Sequence, residues 1–108
     1  MKTSAILGQE AKLADLVSYQ ADAIVSKTLV KGETGSVSIF AFDRGQELSE
    51  HTVPFDALVC VLDGEAEIRI SQTLHRVRAG EAIVMPANQP HAVKALQSFK
   101  MTLSMVKV

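Results

Sequence analysis

The amino-acid sequence predicts an all-β protein, an antiparallel sandwich or barrel built from eight or more short strands. Its 108 residues are enough for one domain with one core, and 47% of them are apolar. The apolar residues fall in short runs that Gly, Pro and Asp interrupt at close intervals, which is typical of strands joined by tight turns. No convincing helical pattern lies between these runs, so strands must supply the core.

Nine segments have strand character: 24–30, 36–42, 46–53, 57–62, 65–70, 73–77, 82–85, 91–96 and 99–106. The dipeptide Asp63-Gly64 predicts a hairpin after the fourth segment. The fifth segment alternates cleanly, which predicts that Ala66, Ile68 and Ile70 face the core while the charged residues between them face water. The sixth segment is expected to pair back on the fifth.

Two regions organise the chain. Residues 21–108 are expected to form the β-barrel domain. Residues 1–20 are an N-terminal lead, in which Leu13, Leu16 and Val17 have helix-like spacing. The lead is interpreted either as one short helical turn or as an arm lying over the barrel.

Composition and charge exclude several classes of protein. The formal net charge is −1 without a basic stripe, which disfavours nucleic-acid binding. No apolar run approaches the roughly 20 residues that span a bilayer, and the first residues do not resemble a signal peptide. Cys60 is the one cysteine, so there is no internal disulfide or CxxC pair. A cytoplasmic location is therefore expected.

The fourth segment is apolar at every position, which a strand with one solvated face is not. If Ala57 and Val59 face the interior, the intervening side chains must also leave water: Leu58, Cys60 and Leu62. Such a strand needs a covering layer or a partner subunit. The sequence predicts a homodimer packed sheet to sheet, with two-fold symmetry.

Two spaced motifs resemble those of the cupin superfamily. The first comprises Gly45, His51, Val53, Ala57 and Gly64, and the second comprises Gly80, Pro86, Asn88, His91 and Ala95. Over residues 36–106 the chain resembles a small single-domain cupin of the conserved-barrel type. The resemblance implies a double-stranded β-helix, or jelly roll, and usually a dimer.

The resemblance also implies a metal site, which this chain retains in part. Cupins usually bind a metal through His, His, Glu and His. Here His51 and His91 match the first and last ligands, whereas Val53 and Ala57 replace the other two. A weakly held divalent ion (Zn, Ni, Fe, Mn or Cu) on His51 and His91 is therefore the expected cofactor, if there is one. Weak extra ligand candidates in the preceding strand are Gln46 and Glu47, the latter because alternation places it on the side of His51.

An apolar pocket around the two histidines is the expected ligand site. Its predicted lining is His51, His91, Val53, Phe55, Ala57 and Met85. If both imidazoles serve one site, they should lie within about 5 Å of each other.

These residues support three functional hypotheses. The leading one is a barrel of unknown specific activity that binds a small molecule, with or without a weakly held divalent ion. The second is a metal-dependent enzyme of dioxygenase, isomerase or decarboxylase type, against which the loss of two ligands argues. The third is a non-catalytic, degenerate barrel used for sensing or assembly. Whether the protein is an enzyme stays open on sequence alone, because one fold hosts many chemistries.

Overall fold

The computed structural model describes residues 2–3 and 6–108. Of the predicted N-terminal lead, Met1, Ser4 and Ala5 lie outside the described residues. Within the described ranges the chain forms one 3-10 turn, Leu13–Leu16, and ten strands. The strands are β1 (Lys2–Thr3), β2 (Ile24–Gly32), β3 (Gly35–Phe42), β4 (Glu47–His51), β5 (Phe55–Asp63), β6 (Glu65–Ile70), β7 (Thr73–Arg78), β8 (Ala82–Met85), β9 (His91–Ala95) and β10 (Phe99–Lys107).

The all-β prediction is confirmed. Each of the nine predicted segments is a strand, β2 to β10, and each strand end lies within two residues of its predicted position. Strand β1 was not predicted. It has only two residues, and it exists through its antiparallel pairing with Lys31 and Val30 of β2, which no local pattern reveals.

The strands form two antiparallel sheets. The six-stranded sheet has the order β1-β2-β3-β10-β5-β8, and the four-stranded sheet has the order β4-β9-β6-β7. The chain passes from the six-stranded sheet to the four-stranded sheet three times, to form β4, then β6 and β7, and then β9, and each time it returns. This repeated exchange is the jelly-roll arrangement.

The main core lies between the inner faces of the two sheets. Its largest fully buried side chains include Phe42, Phe99, Ile68 and Met101. The rings of Phe42 and Phe99 stack with their centroids 4.6 Å apart. The predicted alternation of β6 is confirmed, since Ala66 and Ile68 are fully buried. Its predicted pairing with β7 is confirmed as well.

The Asp63-Gly64 turn differs from its prediction. It is not a hairpin, because β5 pairs with β10 and β8 in one sheet while β6 pairs with β7 and β9 in the other. Gly64 has φ of +75°, and a Cβ there would collide with the carbonyl oxygen of Ser98. The glycine therefore makes a corner between the sheets, where the chain passes close to another backbone segment.

A second, smaller core lies on the outer face of the six-stranded sheet. Its buried members are Val17, Leu29, Ile39 and Ala41, with Leu16, Tyr19 and Leu62 packed against them. Residues of the N-terminal lead thus form a 3-10 turn that also packs over the sheet. Leu62 is covered by the chain itself and needs no partner subunit.

Two polar contacts hold the N-terminal segment on the sheet. The Tyr19 hydroxyl donates to Oδ2 of Asp63 at 2.5 Å, and Nζ of Lys100 donates to the carbonyl oxygen of Ala14 at 2.6 Å. Burial, together with the hydrogen bond to Asp63, holds the pKa of Tyr19 far above its usual value. The tyrosine therefore stays a neutral donor throughout the physiological range.

No helix among residues 2–3 and 6–108 is long and apolar enough to cross a membrane.

Candidate functional site

His91 points into the barrel at the first position of β9. Alternate residues of this strand face inward, so His91, Val93 and Ala95 are buried while Lys94 is exposed. Only 4% of the His91 surface is accessible. A buried imidazole needs hydrogen-bond partners or a ligand for its nitrogens.

His51 reaches the same face through a β-bulge. Leu48 lies opposite Val93 and His51 lies opposite His91, so three steps along β4 match two steps along β9. Without this extra residue, alternation would turn position 51 to the face opposite Leu48. The bulge re-aims the side chain, which is a common role of bulges near functional sites.

The two rings meet edge to face. Their centroids are 4.4 Å apart with an interplanar angle of 67°, which is within the separation expected from the sequence. His51 is exposed and His91 is buried, so the pair has one solvent-facing and one interior member. A molecule arriving from water therefore meets His51 first.

Backbone carbonyls occupy the same nitrogen of each ring. Nδ1 of His51 lies 2.8 Å from the carbonyl oxygen of Ser49, and Nδ1 of His91 lies 3.3 Å from that of Gln89. A carbonyl only accepts, so in the neutral rings Nδ1–H donates and Nε2 keeps its lone pair. Both Nε2 atoms are therefore left as acceptors or ligands, the arrangement in which a second contact fixes the tautomer.

The loops beside the histidines are tied together. The backbone N–H of Asn88 donates to the carbonyl oxygen of Val53 at 2.8 Å, and the N–H of Ala87 donates to Oδ1 of Asp56 at 2.9 Å. Asn88 adopts φ of +65°, a conformation that asparagine tolerates better than most residues. These contacts fix the segment after His51 against the segment before His91, and they engage the Asp56 carboxylate.

The other predicted pocket residues are divided between the strands and a loop. Ala57 and Met85 are buried partners on β5 and β8. Phe55 is half-buried at the start of β5 and lines a cavity of about 440 Å³. Val53 lies in the connection between β4 and β5. Ala57, Met85 and Phe55 belong to the six-stranded sheet, whereas both histidines belong to the four-stranded sheet.

The structure does not bring Gln46 and Glu47 to the histidines. Glu47 pairs with Lys94, three residues along β9 from His91, which is about 10 Å. The carbonyl of Gln46 accepts from the N–H of Ala95, still further along. The expectation that alternation places Glu47 on the side of His51 is wrong, because the bulge reverses the alternation between the two residues.

Burial lowers the pKa of His91 below its usual value, and the nearby His51 adds to this effect because two positive charges would repel. The hydrogen bond with Gln89 opposes the shift without cancelling it. His91 is therefore a neutral imidazole at pH 7, with its Nε2 lone pair available.

The same shift predicts a pH-dependent stability. In the unfolded chain, His91 becomes protonated near pH 6.5, whereas in the folded chain it resists protonation. The free energy of unfolding should therefore fall as the pH drops below about 6.5, and it should level off below the pKa of His91 in the folded protein. His91→Gln should remove this part of the decline. Urea unfolding of both proteins between pH 7.5 and 5 measures it, and parallel pH profiles would contradict the prediction.

The residues present do not fit the complete metal centre that the resemblance implies. Val53 and Ala57 offer no donor atoms where a histidine and a glutamate would stand. No group of three or more His, Cys, Asp or Glu side chains suited to a metal occurs in the described part of the chain. What remains is a pair of imidazoles, and an imidazole ligand carries no negative charge that could offset the charge of a divalent ion.

Sequence reasoning missed several residues around the Phe55 cavity. The cavity is lined by Thr28, Lys31, Gly32, Glu33, Gly35, Ser36, Ser38, Phe55 and Met105. In the sequence, the stretch from residue 31 to 35 indicated only a turn. The register of β2, β3 and β10 is needed to place its side chains beside Phe55, and that register is set by pairing over long sequence distances.

Comparison with solved structures shows close relatives. A conserved protein of unknown function from Streptococcus pyogenes is 41% identical, with a TM-score of 0.89 over 93% of this chain and 88% of that chain. A cupin 2 conserved barrel domain protein from Leptotrichia buccalis is 44% identical, with a TM-score of 0.85; the match covers 87% of this chain but only 46% of that one. A cupin superfamily protein from Desulfitobacterium hafniense is 26% identical, with a TM-score of 0.86 over 89% and 88% of the two chains.

A search of the curated proteins gave no match. The cupin domain family matches residues 38–106, a span that contains both histidines and most of both sheets. Because this match covers more than half of its length and the two antiparallel sheets form a jelly roll, the chain belongs to the cupin domain family.

Proposed function

We propose that this protein binds a small organic molecule through Nε2 of His51 and Nε2 of His91, and that a divalent metal is held there only weakly. One observation carries the proposal. The two rings lie 4.4 Å apart, and each has its Nδ1 engaged by a backbone carbonyl, so that both Nε2 lone pairs are free for a ligand.

Two imidazoles whose Nδ1 atoms are engaged by carbonyls present their Nε2 atoms as acceptors, which favours a ligand that donates a hydrogen bond. A hydroxyl or an N–H group can donate to these nitrogens and brings no charge that must be neutralised. A divalent ion, in contrast, would have no carboxylate beside it to offset its charge. The nearby inner face of the six-stranded sheet is apolar at Ala57, Met85 and Phe55. A few polar groups beside apolar walls are the usual composition of a small-molecule site.

A metal-dependent enzyme is the less favoured function. Catalytic zinc generally has three protein ligands, and the non-haem iron triad requires a carboxylate beside two histidines. Here Ala57 stands at the carboxylate position, and Glu47 lies on a different part of the sheet. If a metal binds, His51 and His91 would hold it, and a chelating substrate would have to complete the coordination.

Binding of 4-propylphenol tests the proposal, since this neutral probe has one hydroxyl donor on an apolar body. In an NMR titration, the imidazole nitrogen shifts of His51 and His91 should move, and His51→Ala/His91→Ala should weaken binding by about tenfold or more, as expected for lost hydrogen bonds in a partly buried site. His75→Ala is the matched control, because β7 is separated from β9 by β6 and His75 lines a different cavity, with Glu81 and Ile83, so the substitution should leave binding unchanged.

Metal content is measured on the same protein, purified without chelator or a His-tag. Well below one equivalent of transition metal is expected after dialysis. If wild type instead retained one equivalent of metal and the double variant did not, the proposal of weak metal binding would be contradicted and the metal-dependent enzyme would be supported. Equal binding of 4-propylphenol by wild type and the double variant would overturn the histidine site.

We also propose that a second copy of the chain covers the part of the outer face of the six-stranded sheet that the N-terminal segment leaves exposed. Leu58, Val84 and Val106 on this face are 38%, 52% and 61% exposed, and Leu58 lies directly opposite Val84. The outer face of the four-stranded sheet instead carries a cross-strand row of alternating charge: Glu47, Lys94, Glu67 and Arg76. The charged face suits water, and the apolar face suits an identical partner.

A further inference from the structure

One row of residues crosses five strands of the six-stranded sheet on its inner face. Lys31 of β2 is opposite Ser36 of β3, Ser36 is opposite Met105 of β10, Met105 is opposite Ala57 of β5, and Ala57 is opposite Met85 of β8. Directly paired residues share a face of the sheet. The row thus joins two predicted pocket residues, Ala57 and Met85, to a lysine and a serine.

The cavity of about 440 Å³ lies over the lysine end of this row. Phe55 and Met105 supply its apolar wall, and both are half-buried. A second pair of opposite residues, Thr28 and Ser38, adds two hydroxyls beside the hydroxyl of Ser36. The cavity therefore has an apolar side toward Ala57 and a polar, cationic side toward β2.

The polar side chains break the pattern of this face. Elsewhere the inner face of the sheet carries Phe42, Val59, Val61 and Met101, all buried in the core. Among the described residues, no side-chain hydrogen bond joins the hydroxyls of Ser36 and Ser38 to a partner, and the Lys31 ammonium makes no ion pair. Ser36 and Ser38 are half-buried, whereas Thr28 and Lys31 are exposed. All four line the cavity, so their polar groups are available to a ligand that enters it from water.

We infer that this cavity receives the carboxylate of the ligand, so that the ligand class is a monocarboxylic acid with an apolar body and a terminal hydrogen-bond donor. This inference rests on the proposed function, since the donor end would meet His51 and His91. The Lys31 ammonium and the hydroxyls of Ser36, Ser38 and Thr28 bind the anion. Phe55 and Met105 contact the body.

The cavity end of the row lies several strands from Ala57. Three strand spacings separate Lys31 from Ala57, about 14–15 Å between Cα atoms, and the lysine side chain spans part of that distance. Glu33 also lines the cavity and opposes an anion. It lies in the turn between β2 and β3, so its carboxylate is expected to weaken the binding of an acid.

The test compares 3-(4-hydroxyphenyl)propanoate with 4-propylphenol, which has a methyl group in place of the carboxylate. NMR titrations of the full chain should show that the acid binds about tenfold more tightly, as for a charge-assisted hydrogen bond in a partly open site. Lys31→Met should remove this preference, so that the two probes bind this variant with similar affinity. Glu33→Gln should increase the preference.

Lys27→Met is the matched control, because Lys27 lies on the same strand opposite Ile39, a residue of the outer face. It should preserve the preference for the acid. The carboxylate inference would be overturned if wild type bound the two probes equally, or if the preference for the acid survived Lys31→Met. In either case, loss of binding of both probes in His51→Ala/His91→Ala would still support the proposed function. The inference would also be overturned if wild type bound neither probe at millimolar concentration. The proposed function would be overturned if wild type and the double histidine variant bound the probes with equal affinity.

Discussion

Val53→His combined with Ala57→Glu is expected to convert the weak site into one that retains a stoichiometric divalent metal. The two substitutions restore the donors that the cupin pattern has at these positions. They add a third imidazole and a carboxylate that offsets the ionic charge. Affinity for Zn²⁺ should rise by roughly 100-fold or more, since zinc sites with a full ligand set bind far more tightly than partial ones.

The double variant should also depend on metal for its stability. Ala57 is 1% exposed, so an ionised glutamate there is costly unless a cation pairs with it. The metal-free variant should therefore unfold at lower denaturant concentration than wild type, and Zn²⁺ should restore it. Titration calorimetry, elemental analysis after dialysis and urea unfolding with and without Zn²⁺ measure these effects.

Val53→Leu combined with Ala57→Gln is the matched control for size without charge or imidazole. It should be destabilised without gaining metal. If the restored variant binds Zn²⁺ no better than wild type, or if its gain survives His51→Ala/His91→Ala, the idea that positions 53 and 57 complete a site with the two histidines is wrong.

Leu58→Asp is expected to produce a monomer or an aggregate. Leu58 lies on the outer face of β5, opposite Ser104 on one side and Val84 on the other. If a second copy covers this face, an aspartate at the centre of the apolar patch would be buried without a partner, which is strongly unfavourable. Light scattering coupled to size-exclusion chromatography should show the mass of one chain for the variant and the mass of two chains for wild type.

The chain offers a sharp control for this substitution. Leu74 is even more exposed, at 60%, but it lies opposite Arg69 on the charged outer face of the four-stranded sheet. Leu74→Asp should leave the mass unchanged. If wild type is a monomer, or if the Leu58→Asp variant is still a dimer, the outer face of the six-stranded sheet is not the dimer interface.

The strands and their inward faces were largely predictable from the sequence, because a strand repeats every two residues and leaves an alternating pattern that survives in a single chain. Residues 65–70 show this directly. The histidine pair was predictable for a different reason: both motifs resemble a family whose ligand positions are known. Neither source of information reveals which polar groups lie on the opposite sheet.

The bulge in β4 shows where local reasoning fails. Alternation placed Glu47 on the side of His51, yet the structure turns Glu47 toward Lys94 and His51 toward His91. A bulge is decided by which residues pair across strands, and β4 and β9 are about forty residues apart in the sequence. No local pattern in residues 46–51 carries that information.

The sequence by itself determined that this chain is an all-β cupin, where nine of its ten described strands lie to within two residues, and that His51 and His91 stand at two of the four positions where the cupin pattern has ligands. Only the tertiary structure decided that Asp63-Gly64 turns between sheets instead of closing a hairpin, that Glu47 faces away from His51, and that Lys31 and Ser36 share a row with Ala57. The physical reason is common to all three. Turn and strand propensities act over a few neighbouring residues, whereas sheet membership, register and facing depend on hydrogen bonds between segments that are distant along the chain.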